Sequence, residues 1–315
     1  MAHKSYKVSV PGSLMLLGEH AVLVGKQAVV CAVNKRLEMQ LIPNNSAQIT
    51  ISDTRLGTIV QSLDNLHIAE PFNFVLSAIL LFKHKIQSGF NLEINSEFSS
   101  VLGLGSSAAV TVATIAILGQ WLHAKPLTNA QVFTLAKQVM LDVQGFGSGA
   151  DLAASIYGGV LGYKIKPYKY CKLPMIPNLT VVYCGYKTPT VEVIKIVNAS
   201  KQLQPQRYEG IFTAMHNCVQ RAMNVIRQSN WSQLGSLFMQ HHALQCELGV
   251  SDDLLNTLVH DLALQPEIFG AKISGSGLGD CVIGVGELPR QIFTAKNGVQ
   301  QFPIVVEEQG LVYVY

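Results

Sequence analysis

The chain reads as an α+β protein of two domains, and three observations lead there. It has 315 residues, 49% of them apolar and only 14% charged. That length and balance can bury a sizeable core and suggest about two domains. Strand-like and helix-like segments follow one another without strict alternation, which separates this chain from the α/β class. Between two periodic regions lies Tyr168–Pro177, with two prolines and the lysines Lys169 and Lys172. Such a stretch punctuates a chain, and it divides this one into residues 1–168 and 169–315.

The elements follow in order. Lys7–Val10, Ala28–Val33 and Leu37–Ile42 are rich in Val and Leu and predict strands, while Ile49–Ser52 alternates with polar residues like an edge strand. Phe72–Ile86 carries apolar residues at 74, 75, 78, 79, 81 and 82, a helical spacing. Phe90–Ile94 alternates again. Ser106–Leu122 and Ala130–Val143 predict two buried helices, and Ser148–Tyr157 a short one before a strand at Val160–Ile165. Past the junction come a strand at Leu179–Tyr183 and helices at Val191–Leu203, Tyr208–Arg227, Trp231–Cys246 and Asp252–Leu264. Ile268–Ile273 and Asp280–Val285 predict strands flanking a glycine loop, and Ile304–Val306 with Leu311–Val314 a closing hairpin.

Composition removes several functional classes. The net charge is +3 and the basic residues are scattered. Nucleic-acid binding needs a concentrated basic stripe, so no nucleic-acid partner is expected, whereas a mild positive excess suits a small anion. The six cysteines contain no C-x-x-C pair and read as reduced thiols of a cytoplasmic protein. The start MAHKSYKVSV lacks an apolar signal core. The longest apolar stretches, Phe74–Phe82 and Ala108–Leu118, fall short of a membrane span. No membrane partner is expected.

Four glycine-bearing segments carry the chemistry. Gly103-Leu104-Gly105-Ser106-Ser107-Ala108-Ala109 runs directly into a helix. Free backbone N–H groups and the positive end of the dipole make such a place an anion site, phosphate above all. It is not a P-loop, because no lysine follows the glycines. It is not a dinucleotide fingerprint either. That fold needs an acidic residue about 20 positions on, and none occurs from Ser106 through Leu141. A tight turn before a core helix is the plain alternative. Gln144-Gly145-Phe146-Gly147-Ser148-Gly149-Ala150-Asp151 places Asp151 in a helical first turn, where the dipole favours its ionised form. There it can accept a hydroxyl proton, or simply cap the helix. Pro11-Gly12-Ser13-Leu14-Met15-Leu16-Leu17-Gly18-Glu19-His20 ends an apolar run in a carboxylate and an imidazole, which is also the make-up of an ordinary polar turn. Lys272-Ile273-Ser274-Gly275-Ser276-Gly277-Leu278-Gly279-Asp280-Cys281 has more glycine than a hairpin requires, so close approach to a ligand is favoured.

In this order and spacing, the four segments resemble the GHMP kinases, the family of galactokinase, homoserine kinase, mevalonate kinase and phosphomevalonate kinase, across nearly the whole chain. Gly18-Glu19-His20-Ala21-Val22 is most like the mevalonate kinase branch. The resemblance implies an N-terminal domain like ribosomal protein S5 and a ferredoxin-like C-terminal domain, with the site between them. It implies ATP and Mg²⁺ as cofactors and phosphorylation of mevalonate, with phosphomevalonate kinase or a non-catalytic ATP-binding sensor as alternatives; homodimers also occur in the family. Carried onto this sequence, Gly103–Ala108 would wrap the ATP phosphates and Ser107 would help hold Mg²⁺. Asp151 would be the catalytic base, Ser13, Glu19, His20 and Thr190 would lie at the acceptor, and Ser274, Gly275, Ser276, Gly277 and Gly279 would close over the site.

Three positions depart from the family pattern. Ser13 stands where mevalonate kinases carry a lysine, so Lys187 or Lys272 is the expected stand-in. Met140 occupies the register of the metal-binding glutamate, leaving the metal to Ser107 and ATP, since nearby Asp142 points to a different side. Gly279-Asp280-Cys281 is more like phosphomevalonate kinases, whose doubly anionic acceptor would call on Lys187, Lys195 and Arg207.

Overall fold

A computed structural model describes residues 5–99, 102–293 and 298–314. The first half contains β1 (Tyr6–Leu17), β2 (Gln27–Pro43), β3 (Gln48–Asp53), β4 (Gly57–Ser62), α1 (Asn73–Phe82), β5 (Phe90–Ser96), α2 (Ser106–Leu122), α3 (Asn129–Gln144), α4 (Ala150–Tyr157), β6 (Val160–Ile165) and β7 (Tyr168–Leu173). The second contains β8 (Leu179–Lys187), α5 (Thr190–Leu203), α6 (Pro205–Arg227), α7 (Trp231–Leu248), α8 (Asp253–Ala263), β9 (Ala271–Ser274), β10 (Gly279–Val285), β11 (Gln300–Ile304) and β12 (Val312–Val314). This is a two-sheet α+β architecture.

The larger sheet runs β12-β1-β2-β5-β3-β4, with β6 and β7 branching from β2. Its spine is β1, which is buried continuously from Val8 to Leu17. A strand covered on both faces shows no alternation, so sequence reading ends it at Val10, seven residues early. The bulge between Pro11 and Gly12 lets pairing resume beyond the proline. The two strands expected at Ala28–Val33 and Leu37–Ile42 are one strand, β2. Its first part pairs β6 and its second part β5, and the exposed Asn34 lies at the changeover. Nor is Ile49–Ser52 the edge strand, because β4 pairs outside it.

Helix α2 occupies the middle of the helical layer, packed on β1 and β2 and flanked by α1, α3 and α4. Covered all round, it can be apolar on every face. Thr128 starts α3 with a capping box closed by Gln131.

The second sheet is antiparallel, β11-β8-β10-β9, with α7 and α8 against it. The closing hairpin is not formed. β11 belongs to this sheet, Val306 bridges to Val33, and β12 returns to pair β1. Short apolar runs carry no record of which partner they choose, so adjacency in sequence misleads here. The division expected at residue 168 falls at the start of β7, which pairs β6 through Leu173. Among the described residues no helix is long and apolar enough to cross a membrane.

Candidate active site

A cleft opens between the two sheets, bounded by the N-termini of α2 and α4 on one side and by β8, α5 and the β9–β10 loop on the other. It is built first by backbone. Gly103 and Gly105 take φ of 64° and 65°, in the left-handed region. Gly105 is the N-cap of α2, and among the described residues no side chain caps that end. The first N–H groups of a 17-residue helix are therefore left for a ligand, with the dipole favouring an anion. A side chain at Gly105 is excluded, since its Cβ would come 2.0 Å from the Ser13 Oγ.

That contact joins the loop before α2 to the Asp151 carboxylate. Ser13 Oγ donates to Asp151 Oδ1 at 2.8 Å, and the Ser13 N–H donates to the Leu104 carbonyl at 3.0 Å. Asp151 lies in the first turn of α4. The turn is fixed from below by Tyr163, whose hydroxyl donates to the Ser148 carbonyl at 2.5 Å. Burial pushes the Asp151 carboxyl above the ordinary range, while the Ser13 hydrogen bond and the Lys187 charge oppose the rise. Asp280, Tyr163 and Cys31 are the other titratable groups within electrostatic reach of it. A buried carboxylate with a raised pKa is a better proton acceptor than one in water.

The second sheet contributes a buried polar cluster. Lys272, with no exposed surface, donates to Glu19 Oε1 at 2.6 Å and also to the Ile273 carbonyl. Burial pulls Lys272 down and Glu19 up, and their mutual attraction opposes both shifts. The Gly18 N–H donates to His241 Nε2 at 2.9 Å, so that nitrogen is an acceptor and the ring is neutral. Burial, with Lys272 adding to it, holds the His241 pKa well below its ordinary value. Among the described residues Glu19 Oε2 has no hydrogen-bond partner, His241 Nε2 standing 3.7 Å away, and Glu19 lines the cleft. His20 holds φ at 60° and its Nε2 meets the Ser276 carbonyl at 2.8 Å, which fixes the glycine loop over the cleft.

Of the residues singled out in the sequence, Glu19, His20, Gly103, Gly105, Ser106, Ser107, Ala108, Asp151, Thr190, Ser274, Gly275 and Ser276 line one cleft. Ser13 does not. It is entirely buried and meets the cleft lining from behind, at Asp151 and Gly105. Leu104 is buried too. Gly277 packs against the Val250 carbonyl, and Gly279 pairs with Lys187 as β10 begins. Asp142 accepts from Gln138 on the exposed side of α3, while Met140 faces the cleft. Lys137, Gln144, Phe146 and Ile194 also line it; Gln144 and Phe146 belong to the third glycine segment in chain order, and no glycine signature marks Lys137 or Ile194.

The comparisons with known proteins give the family. A model of the GHMP kinase N-terminal domain matches residues 73–159, and one of the GHMP kinase C-terminal domain matches residues 222–303. The mevalonate kinase of Thermococcus gammatolerans is 31% identical, covering 96% of this chain and 96% of its own. The chain is a GHMP kinase. This GHMP kinase is also 32% identical to the mevalonate kinase of Thermococcus sibiricus, with 96% of each chain covered. Among solved structures, the Methanococcus jannaschii mevalonate kinase superposes with a TM-score of 0.82 at 24% identity, covering 97% of this chain and 98% of that one. The phosphomevalonate kinase of Streptococcus pneumoniae, in complex with phosphomevalonate and AMPPNP, shares the fold at a TM-score of 0.73 and 18% identity, over 89% and 92% of the two chains.

Proposed function

We propose that this GHMP kinase transfers the γ-phosphoryl group of ATP to the primary hydroxyl of mevalonate, giving 5-phosphomevalonate. The observation that carries the reading is the junction of Gly105, Ser13 and Asp151. A helix N-terminus free for phosphate and a buried carboxylate share one serine between them. That arrangement holds a phosphoryl donor and a proton acceptor at fixed separation, which is most of what phosphoryl transfer requires. The acceptor hydroxyl gives its proton to Asp151. Its oxygen forms the new bond to the γ-phosphorus as the bond from that phosphorus to the bridging oxygen breaks, and ADP leaves with the electron pair.

The cleft residues suit Mg²⁺ carried in with the nucleotide. Among the described residues no group of three or more His, Cys, Asp or Glu is placed to hold a metal alone. Mg²⁺ is commonly held by a few protein oxygens plus substrate phosphates. Ser107 at the start of α2 would supply a hydroxyl, and Met140 supplies nothing. The ion would neutralise phosphate charge. The backbone N–H groups of α2 orient the phosphates, and His20 with Ser276 keeps the glycine loop over them.

Mevalonate is favoured over phosphomevalonate by the cations. Of the three that could serve a second phosphate, Lys187 lines the cleft, while Lys195 and Arg207 are exposed on α5 and α6 outside its lining. Arg207 bonds Gln204 instead. The likeness to archaeal mevalonate kinases along 96% of the chain supports the same acceptor. Free thiols throughout the chain suit a reducing, cytoplasmic setting. The test is Asp151→Asn. Turnover should fall by about 10²–10⁴-fold with nucleotide affinity retained, and an Asn variant as active as the parent would overturn the assignment.

A further inference from the structure

Charge builds on the transferring group and its flanking oxygens, and a fixed cation beside them is worth far more in a closed site than in water. Three lysines are placed near enough to consider. Lys272 is wholly buried and already engaged by Glu19 and the Ile273 carbonyl. Lys137 lies on α3 beside Met140 and forms none of the described ion pairs. Lys187 is different. It ends β8, lines the cleft, is about a third exposed, and pairs with Asp280 at 3.2 Å.

Asp280 is held in an unusual place. It adopts φ of 67°, a left-handed conformation that a non-glycine residue seldom takes. Its carboxylate lies against both glycine loops. A Cβ on Gly103 would come 3.0 Å from Oδ1, and one on Gly275 would come 3.2 Å from Oδ2. Backbone strain at a buried carboxylate wedged between two ligand loops persists only if the surroundings enforce it. Here the result is that Lys187 is anchored over the phosphate loop from the second sheet. Among the described residues its charge is also the one that opposes the rise in the Asp151 pKa.

We propose that Lys187 is the catalytic cation of this kinase, neutralising the phosphoryl group and the acceptor oxygen beside Asp151, and that Asp280 is the residue that positions it. The cation thus comes from β8, on the opposite side of the cleft from Ser13. Asp280 leaves Lys187 no net need of further anions in the resting cleft, and the incoming γ-phosphate competes for the same ammonium group, which has three donors. The inference rests on the phosphotransferase reading above, and the experiment separates the two.

The parent enzyme and the Lys187→Met, Lys187→Arg, Lys187→Cys and Asp280→Asn variants are assayed for Mg·ATP-dependent ADP release with the acceptor the parent uses. Binding of a fluorescent ATP analogue is measured in parallel. Lys187→Met should lose about 10²–10³-fold in kcat with analogue affinity held within about threefold of the parent. Lys187→Arg should recover part of the loss. Lys187→Cys should be as slow as the Met variant and regain activity when treated with 2-bromoethylamine, which rebuilds a lysine-length ammonium, whereas the treated parent should gain nothing. Asp280→Asn should lower kcat more than it raises either KM, since it loosens Lys187 without touching substrate. Parental kcat in Lys187→Met, or no rescue of folded Lys187→Cys by aminoethylation, would overturn the assignment while leaving the kinase reading intact. A parent that releases no ADP with any acceptor would instead overturn the kinase reading, and this proposal with it.

Discussion

Replacing Gly105 by alanine probes the link between the proposed phosphate loop and the proposed base, Asp151. The new Cβ would stand 2.0 Å from Ser13 Oγ, where ordinary contact needs about 3.5 Å. The hydroxyl must therefore retreat by more than an ångström. Its bond to Asp151 is 2.8 Å long, and a retreat of that size away from the carboxylate breaks it. Two costs follow. Alanine at φ of 65° costs about 1–2 kcal/mol, and losing a hydrogen bond to an ionised group costs about 1.5–3 kcal/mol. Stability should fall by about 2–5 kcal/mol. The catalytic signature is more specific. Ser13 is the largest influence holding the Asp151 pKa down against burial, so its loss moves the acid limb of the kcat–pH profile to higher pH. The base works only when ionised, and activity is lost as pH falls through the folded-state pKa. Ser13→Ala should move the limb the same way without the backbone strain. The assay is ADP release from about pH 5 to 9, paired with urea unfolding. If both variants keep the parental limb, Ser13 does not set the base and the reasoning fails.

Other consequences are equally concrete. Lys272→Met leaves Glu19 buried without its cation and should cost about 3–5 kcal/mol in urea unfolding; the Glu19→Gln/Lys272→Met double variant should recover much of that, and strict additivity would refute the pairing. Asp151→Asn should leave Tm unchanged or higher. With the folded-state carboxyl pKa raised by burial, the unfolded chain gives up its proton first, so the parent loses stability as pH rises from the unfolded to the folded pKa. Asparagine removes that loss, and a clearly lower Tm at neutral pH would contradict it. In the native protein only Cys171 and Cys246 are exposed among the six thiols, so a thiol reagent should label two quickly; Cys31, with its pKa pushed up to about 12, should react only on unfolding.

Much of this was legible in the sequence where chemistry forces composition. A helix covered on nearly every face is apolar along most of its length, and Ser106–Leu122 is read to the residue. Left-handed turns next to ligands favour glycine, and Gly103, Gly105 and Gly149 mark the two helix N-termini at which the site is built. What escaped was partner choice. Nothing in Leu311–Val314 says that it pairs with β1 and not with its sequence neighbour. The second sheet's part in the site was half visible. Lys187 and Lys272 are equivalent as letters, and only burial shows that one is engaged by Glu19 and the other faces Asp280. The glycines of the loop leading to Asp280 stop one residue short of it, and nothing in an aspartate at that place announces its left-handed backbone.

The central claim is the transfer of phosphate from ATP to mevalonate with Asp151 as base. The direct measurement is Mg·ATP-dependent ADP release with mevalonate, phosphomevalonate, diphosphomevalonate, homoserine and galactose, the parent beside Asp151→Asn. The account predicts turnover on mevalonate alone, lost in the variant. Turnover on phosphomevalonate would contradict the reading of the cleft's cations, and silence on all five acceptors, with ATP still bound, would contradict the kinase account itself.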